Sequence, residues 1–149
     1  MGIKEVSLEL LSSDIVSLFN DYRVFYGQDS NIQGCEAFLK DRLRHHESFI
    51  FVGYDSGKAV SFCQVYPSFS SIGMAKTWIL NDLYVVPEVR RSGYGRAMMK
   101  FVHEQAIKHN IVGISLSTAE NNTRAQKLYY LMGYKKDECF FHFDITLNV

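Results

Sequence analysis

The stretch Leu83-Tyr84-Val85-Val86-Pro87-Glu88-Val89-Arg90-Arg91-Ser92-Gly93-Tyr94-Gly95-Arg96 most constrains what this chain can fold into. An apolar, β-branched run meets a proline, three arginines and two glycines, and then turns to helical spacing. Ala97, Met98, Phe101, Val102, Gln105 and Ala106 fall on or beside one helical face. A strand that enters a helix through such a turn builds an anion site. The first-turn N–H groups of a helix have no intrahelical partner, and the helix dipole adds positive potential there. Glycines let the backbone approach a ligand and form a nest of convergent N–H groups. Arg90, Arg91 and Arg96 add formal charge. A phosphate or pyrophosphate is the expected guest; the plainer alternative is a solvated basic turn. A dinucleotide fingerprint would need glycine where Met98 stands, and the P-loop pattern occurs nowhere.

Elsewhere the hydrophobic period sets the order of elements. Ile3 to Leu8 reads as a strand. A helix capped by Ser12 or Ser13 carries Ile15, Leu18, Phe19, Tyr22, Phe25 and Tyr26, and Asn31 caps a second with Cys35, Phe38, Leu39 and Leu43. Ser48 to Tyr54 and Ala59 to Tyr66 alternate as strands across the turn Asp55-Ser56-Gly57-Lys58. Pro67 to Gly73 reads as loop and Lys76 to Val86 as a long strand. Gly93 to His109 is the helix above, and Val112 to Thr118 a strand. Thr123 to Met132 is a short helix closed by Gly133. Tyr134 to Lys136 and Phe140 to Leu147 read as closing strands. The order β-α-α-β-β-β-α-β-α-β-β gives an α/β chain with a mixed central sheet of about seven strands and about four helices. The helical crossover makes the Lys76 and Val112 strands parallel. Without linker or repeat, residues 1–149 read as one domain.

The 16 acidic and 16 basic residues cancel, which argues against a nucleic-acid or anionic-membrane partner. Cys35, Cys63 and Cys139 are odd in number and lack a C-x-x-C pair, so neither a disulfide framework nor a zinc site is expected and the cytoplasm is the default location. His45 and His46 lack a carboxylate at helical spacing, and no metal is expected. Met1 to Leu11 is too short for a signal peptide and carries Lys4, Glu5 and Glu9, and no apolar run is long enough to span a membrane.

Arg90-Arg91-Ser92-Gly93-Tyr94-Gly95 resembles the R/Q-x-x-G-x-G/A signature of the GNAT superfamily of acetyl-CoA-dependent N-acetyltransferases. About 30 residues on, Asn122-Thr123-Arg124-Ala125-Gln126-Lys127-Leu128-Tyr129-Tyr130-Leu131-Met132-Gly133-Tyr134 resembles that family's N-x-x-A-x-x-L-Y-x-x-x-G-F/Y. Asn81-Asp82-Leu83-Tyr84-Val85 with Arg124-Ala125-Gln126 looks most like a small fungal subgroup that acetylates histones and polyamines. The resemblance implies a GNAT fold, acetyl-CoA as co-substrate, and transfer of its acetyl group to a primary amine by direct attack in a ternary complex. The alternative on the same fold is a non-catalytic acyl-CoA sensor. The resemblance further implies that the amides of Arg91 to Arg96 receive the pyrophosphate, with Arg90 also among the cofactor-binding residues, that Leu83 and Val85 pair with the pantetheine arm, and that Asn122, Ala125 and Tyr129 line the cofactor.

Chemistry adds requirements. Deprotonating a lysine-like amine at neutral pH costs roughly 4–5 kcal/mol, so a base or water relay is useful. The resemblance puts the oxyanion donor at the Val85 N–H and the acid for the leaving thiolate at Tyr129. The position usual for a base holds Asn81, which cannot be a base and either holds a water or makes a structural hydrogen bond; alternation turns Asp82 to the opposite face. Tyr22, Tyr26, Asp21 and Asp29 suit a cationic amine, though packed aromatics and solvated acids explain them equally well. Specificity is expected from the first two helices and the Pro67 to Gly73 loop. The aromatic run Phe140 to Leu147 would leave an apolar edge, from which a homodimer is expected.

Overall fold

The computed structural model describes residues 2–149. It divides into two compact units, one ending at Ser117 and one comprising Thr118–Val149.

The first unit holds a five-stranded sheet in the order β1-β2-β3-β4-β5: Gly2–Val6, Phe49–Asp55, Lys58–Ser70, Ala75–Val85 and Ile114–Ser115. The first four pair antiparallel, and β5 joins β4 in parallel. β2 and β3 are joined at the pair Asp55↔Lys58, with Ser56 and Gly57 forming the turn at φ 50° and 81°. Helix α1, Ser13–Phe25, starts after an extended Ser12 whose hydroxyl reaches Asp14; α2, Ile32–Arg44, is capped by the Asn31 side chain, which accepts from Gly34 N at 2.9 Å. Buried Asn20 ties the two together, accepting from Asn31 N at 2.8 Å and donating to Ser30 at 3.1 Å.

Both sheet faces are covered. Ile15, Val16, Leu18 and Phe19 of α1 and Cys35 and Leu39 of α2 pack with Ile50, Val52 and Phe62. On the other face α3, Tyr94–Lys108, buries Met98, Met99 and Val102, and Phe51 and Trp78 disappear from solvent. Each large apolar side chain so buried contributes about 1.5–3 kcal/mol.

The sequence reading needs three corrections here. Pro67 does not begin a loop: β3 continues to Ser70, because Pro67 lies opposite Trp78, whose N–H turns to Gly113 O at 3.0 Å and asks nothing of the proline. The strand expected from Val112 to Thr118 is confined to Ile114–Ser115. Five strands, not seven, occur among the described residues, and neither Tyr134–Lys136 nor Phe140–Leu147 enters a ladder. Both runs have strand composition, but a strand also needs a partner edge, and local sequence does not supply one.

The second unit contains α4, Thr123–Leu131. Asn122 Oδ1 caps it by accepting from Ala125 N at 3.3 Å. At the other end Gly133 takes φ 95°, Gly133 N donates to Tyr130 O at 3.1 Å and Tyr134 N to Tyr129 O at 3.0 Å, a Schellman closure. Asp137 Oδ1 then accepts from the N–H groups of Cys139 and Phe140 at 2.9 and 3.1 Å, and these bonds hold its carboxyl below the usual range. No helix among the described residues is long and apolar enough to cross a membrane.

Candidate active site

A bulge in β4 organises the site. Asp82 pairs with Gln64 and Leu80 with Val65, which leaves Asn81 without a partner on β3. Buried residues upstream and downstream of it face opposite layers. Trp78 packs among Phe49, Phe51 and His109, whereas Tyr84 packs among Phe62, Tyr22 and Phe25. The bulge therefore turns Asp82 and Tyr84 toward α1.

The backbone past the bulge turns the other way. Val86 N donates to Val60 O on β3 at 2.9 Å. Backbone groups alternate sides along a strand, so Leu83 and Val85 aim theirs away from β3. On that side β5 pairs only at Trp78↔Ile114 and Ile79↔Ser115, well short of Val85. The residues expected to pair with a pantetheine arm thus lie on a strand edge that has no ladder partner among the described residues.

β4 leads through a 3-10 turn, Pro87–Val89, into the loop before α3. Arg91 has φ 65° and Gly93 φ 85°. A non-glycine residue in this region carries about 1–3 kcal/mol of strain, which persists only where the surroundings enforce it. The first helical bond of α3 is Ala97 N to Gly93 O at 3.0 Å. Among the described residues no protein acceptor meets the N–H groups of Arg91 to Arg96. Arg91, Ser92 and Arg96 are exposed around them, and a Cβ built on Gly93 meets nothing within 4 Å. A cluster of unpartnered donors with two exposed guanidiniums and no obstructing side chain suits a pyrophosphate. The Tyr94 phenol is held above its usual range by partial desolvation and a hydrogen bond to Asp55, so its side chain is committed to the β2–β3 turn. Arg90 also has partners within the unit: its Nε donates to Val85 O at 2.9 Å, and its guanidinium lies 5.1 Å from the Phe25 ring centroid and 5.6 Å from that of Tyr84.

On the α1 side Asp82 is buried and accepts from Gln64 Nε2 at 2.8 Å and Asn81 Nδ2 at 3.1 Å. No basic side chain forms an ion pair with it among the described residues. Burial, reinforced by Asp82, pushes the Tyr22 phenol far above its ordinary value and that of Tyr66 up to about 12. The same two causes hold the fully buried Cys63 thiol protonated, so Cys63 is no nucleophile. Tyr22 stacks edge-on with Tyr26, Phe62 and Tyr84, and Tyr26 is exposed. Asp29 is exposed, and its carbonyl accepts from Arg23 at 3.2 Å. The sequence reading sets Asp82 aside by alternation and does not consider Gln64; nothing in a period-two pattern announces the bulge that brings Asp82 to Tyr22.

In the second unit Asn122 caps α4 through Ala125 N, and Gln126 Nε2 donates to Ala119 O and Glu120 O at 3.1 and 2.9 Å, fixing the loop ahead of the helix. Tyr129 is half-buried, its ring 6.0 Å from that of Tyr134. His45 Nδ1 lies 2.8 Å from Asp41 O, and no group of side chains suited to a metal occurs among the described residues.

Residues 15–134 match the acetyltransferase (GNAT) family model. The chain is 43% identical over 135 residues to an uncharacterized N-acetyltransferase of Bacillus subtilis strain 168, covering 91% of its own length and 89% of the other. It is 30% identical over 87 residues to a D-amino-acid N-acetyltransferase of Saccharomyces cerevisiae, spanning 58% of this chain and 54% of the yeast protein. A crystal structure of a probable acetyltransferase superposes with a TM-score of 0.92 at 34% identity, covering 100% of this chain and 99% of that one.

Proposed function

The chain belongs to the GNAT acetyltransferase family, and from that premise we propose that it transfers the acetyl group of acetyl-CoA to a primary amine by direct attack in a ternary complex. The acceptor is a small amine or polyamine, or a protein lysine. The single observation that carries the reading is the run of unpartnered N–H groups from Arg91 to Arg96 at the start of α3, next to a strand edge at Leu83 and Val85 that has no ladder partner among the described residues. Acetyl-CoA brings an activated acyl group and a thiolate leaving group; this chain supplies placement and proton handling. Arg91, Ser92, Gly93, Tyr94, Gly95 and Arg96 hold the pyrophosphate through their amides, and Leu83 and Val85 hold the pantetheine arm. The Val85 N–H steadies the negative charge that develops on the carbonyl oxygen. Asn122 and Ala125 line the cofactor.

The amine proton needs an acceptor. Asn81 positions a water, which takes the amine proton and gives its own directly to the carboxylate of Asp82, whose Oδ1 is held beside Asn81 by the Nδ2 contact at 3.1 Å. That chain gives the departing amine proton an acceptor as the amine attacks. Tyr129 returns a proton to the thiolate. Tyr22, Tyr26 and Asp29 at the end of α1 and beyond it recognise the incoming cation. Residues 1–149 act as one catalytic domain, and the protein works as a cytoplasmic homodimer, a reading supported by Phe140, Phe141, Phe143, Ile145 and Leu147, which expose most of their apolar surface.

The test is an assay of free thiol release from acetyl-CoA across polyamines, a lysine-bearing peptide and amino acids of both hands, the D-forms included because of the yeast relative. Amine-dependent release above the hydrolysis rate supports the reading; none, with acetyl-CoA bound, replaces it with an acyl-CoA sensor.

A further inference from the structure

We propose that Arg90, the first arginine of the signature, is a positioning residue that locks the end of β4 to the end of α1, and not a ligand of the cofactor's phosphates. The inference rests on the proposed transfer reaction for its kinetic consequence, but the linkage itself is a property of the folded chain. The peptide between Val85 and Val86 is held from both sides. Its N–H donates to Val60 O at 2.9 Å, and its carbonyl accepts from Arg90 Nε at 2.9 Å. That plane therefore cannot rotate without losing one of the two bonds. Val85 is also the residue whose N–H faces the edge without a ladder partner among the described residues, so the orientation of that donor is tied to the pinned plane next to it.

The other end of the linkage is aromatic. The Arg90 guanidinium lies over Phe25, the last residue of α1, and over Tyr84, and the two rings themselves approach to 6.1 Å between centroids. Phe25 is 58% exposed and belongs to no core cluster; its ring meets Arg90 at 5.1 Å, Tyr26 at 5.2 Å and Tyr84 at 6.1 Å. Tyr22 and Tyr26 sit on the same end of α1, and Tyr22 touches Tyr84 at 5.8 Å. Arg90 thus joins the helix end expected to meet the amine to the strand end expected to meet the thioester. Only a guanidinium can stack on rings while its in-plane Nε–H serves a carbonyl; an ammonium is a point charge without that geometry. Arg91 and Arg96, both exposed beside the unpartnered amides, are left as the charges for the pyrophosphate.

Arg90→Gln, Arg90→Lys and Phe25→Leu are compared with Arg91→Gln in the full chain. In ligand-free protein, the amide resonances of Val85 and Val86 should move in the Arg90 and Phe25 variants and stay in place in Arg91→Gln; unmoved amides in Arg90→Gln overturn the proposal whether or not the protein is an enzyme. In titrations with coenzyme A, Arg91→Gln should weaken binding several-fold while Arg90→Gln stays within about 2-fold of wild type. kcat of Arg90→Gln should fall roughly 10-fold or more, because displacement of a positioned donor by even a fraction of an ångström is costly, and Arg90→Lys should not restore it. A rise in the coenzyme A Kd matching that of Arg91→Gln would make Arg90 a phosphate ligand. A lowered Tm with unchanged kcat would make it structural only, and either result overturns the proposal. A wild-type protein that binds no coenzyme A would instead refute the transfer reaction, leaving the amide-shift test of the linkage to stand alone.

Discussion

Gln64 Nε2 donates to Asp82 Oδ2 at 2.8 Å inside the layer between the sheet and α1, where both side chains are at least 95% buried. A carboxylate in such a place normally has a cationic partner, because transfer of an isolated charge from water is expensive. Here the partners are neutral amides and Tyr22, and Gln64 Oε1 has no hydrogen-bond partner among the described residues. The pair is a buried carboxylate held by neutral donors, not an ion pair that braces the fold.

Asp82→Asn should therefore lower kcat/KM by roughly 10²-fold, the usual scale for lost general-base assistance, while coenzyme A affinity stays within about 2-fold. The loss should shrink as pH rises and more of the amine arrives already neutral. Steady-state kinetics from pH 7 to 10 checks this; an Asp82→Asn enzyme with the wild-type profile returns the carboxylate to a structural role.

How Asp82 comes to matter shows the reach of the sequence. Alternation alone sets it on the face opposite Asn81, yet the two side chains meet, Asn81 Nδ2 lying 3.1 Å from Asp82 Oδ1. What alternation cannot encode is the unpaired Asn81, which changes the layer that the buried side chains of β4 meet. The strand, turn and helix from Leu83 onward were legible because apolar period, glycines and arginines coincide within a few residues. The caps at Asn31 and Asn122 and the Gly133 closure were legible because each is a local hydrogen-bond rule. Phe140 to Leu147 misleads because β pairing depends on a distant edge, which composition does not describe.

Tyr129→Phe should reduce kcat by roughly 10²-fold with coenzyme A binding retained, as expected for removal of a general acid. Turnover measured with pre-steady-state mixing, so that chemistry and product release are separated, checks the assignment. An unchanged chemical step would make Tyr129 a packing residue of α4.

Tyr22 and Tyr66 should titrate late. Their phenols are raised in the fold, Tyr66 to about 12, mainly by burial and then by Asp82. The unfolded chain releases these protons near pH 10, so between about pH 10 and 12 the folded state holds more protons and its stability falls as pH rises. Below pH 10 both states are protonated and the groups contribute no slope. Ultraviolet titration of the phenolates, run alongside urea midpoints, should show late ionisation that coincides with loss of the fold. Complete ionisation of all nine tyrosines near pH 10 in a chain that stays folded would contradict the buried cluster.

The exposed aromatics of the C-terminal segment bear on assembly. Phe141 and Phe143 each expose 91% of their surface, an apolar area suited to cover by a second chain. Sedimentation equilibrium at micromolar concentration should give about twice the 17.1 kDa chain mass. Phe141→Asp or Phe143→Asp should return the chain mass with the fold retained. A single species at the chain mass in the wild type rejects the homodimer.

The central claim is that the amides before α3 hold acetyl-CoA, and thermal unfolding with and without it tests that most directly. At about 100 times Kd the ligand should add roughly 2.7 kcal/mol, which for a chain of this size raises Tm by roughly 5–10 °C. Gly93→Val should abolish the shift, since φ 85° is costly for a β-branched residue and the added side chain projects into the open space above the amides. A wild-type melt unchanged by millimolar acetyl-CoA, or a Gly93→Val protein with the full shift, would contradict the assignment.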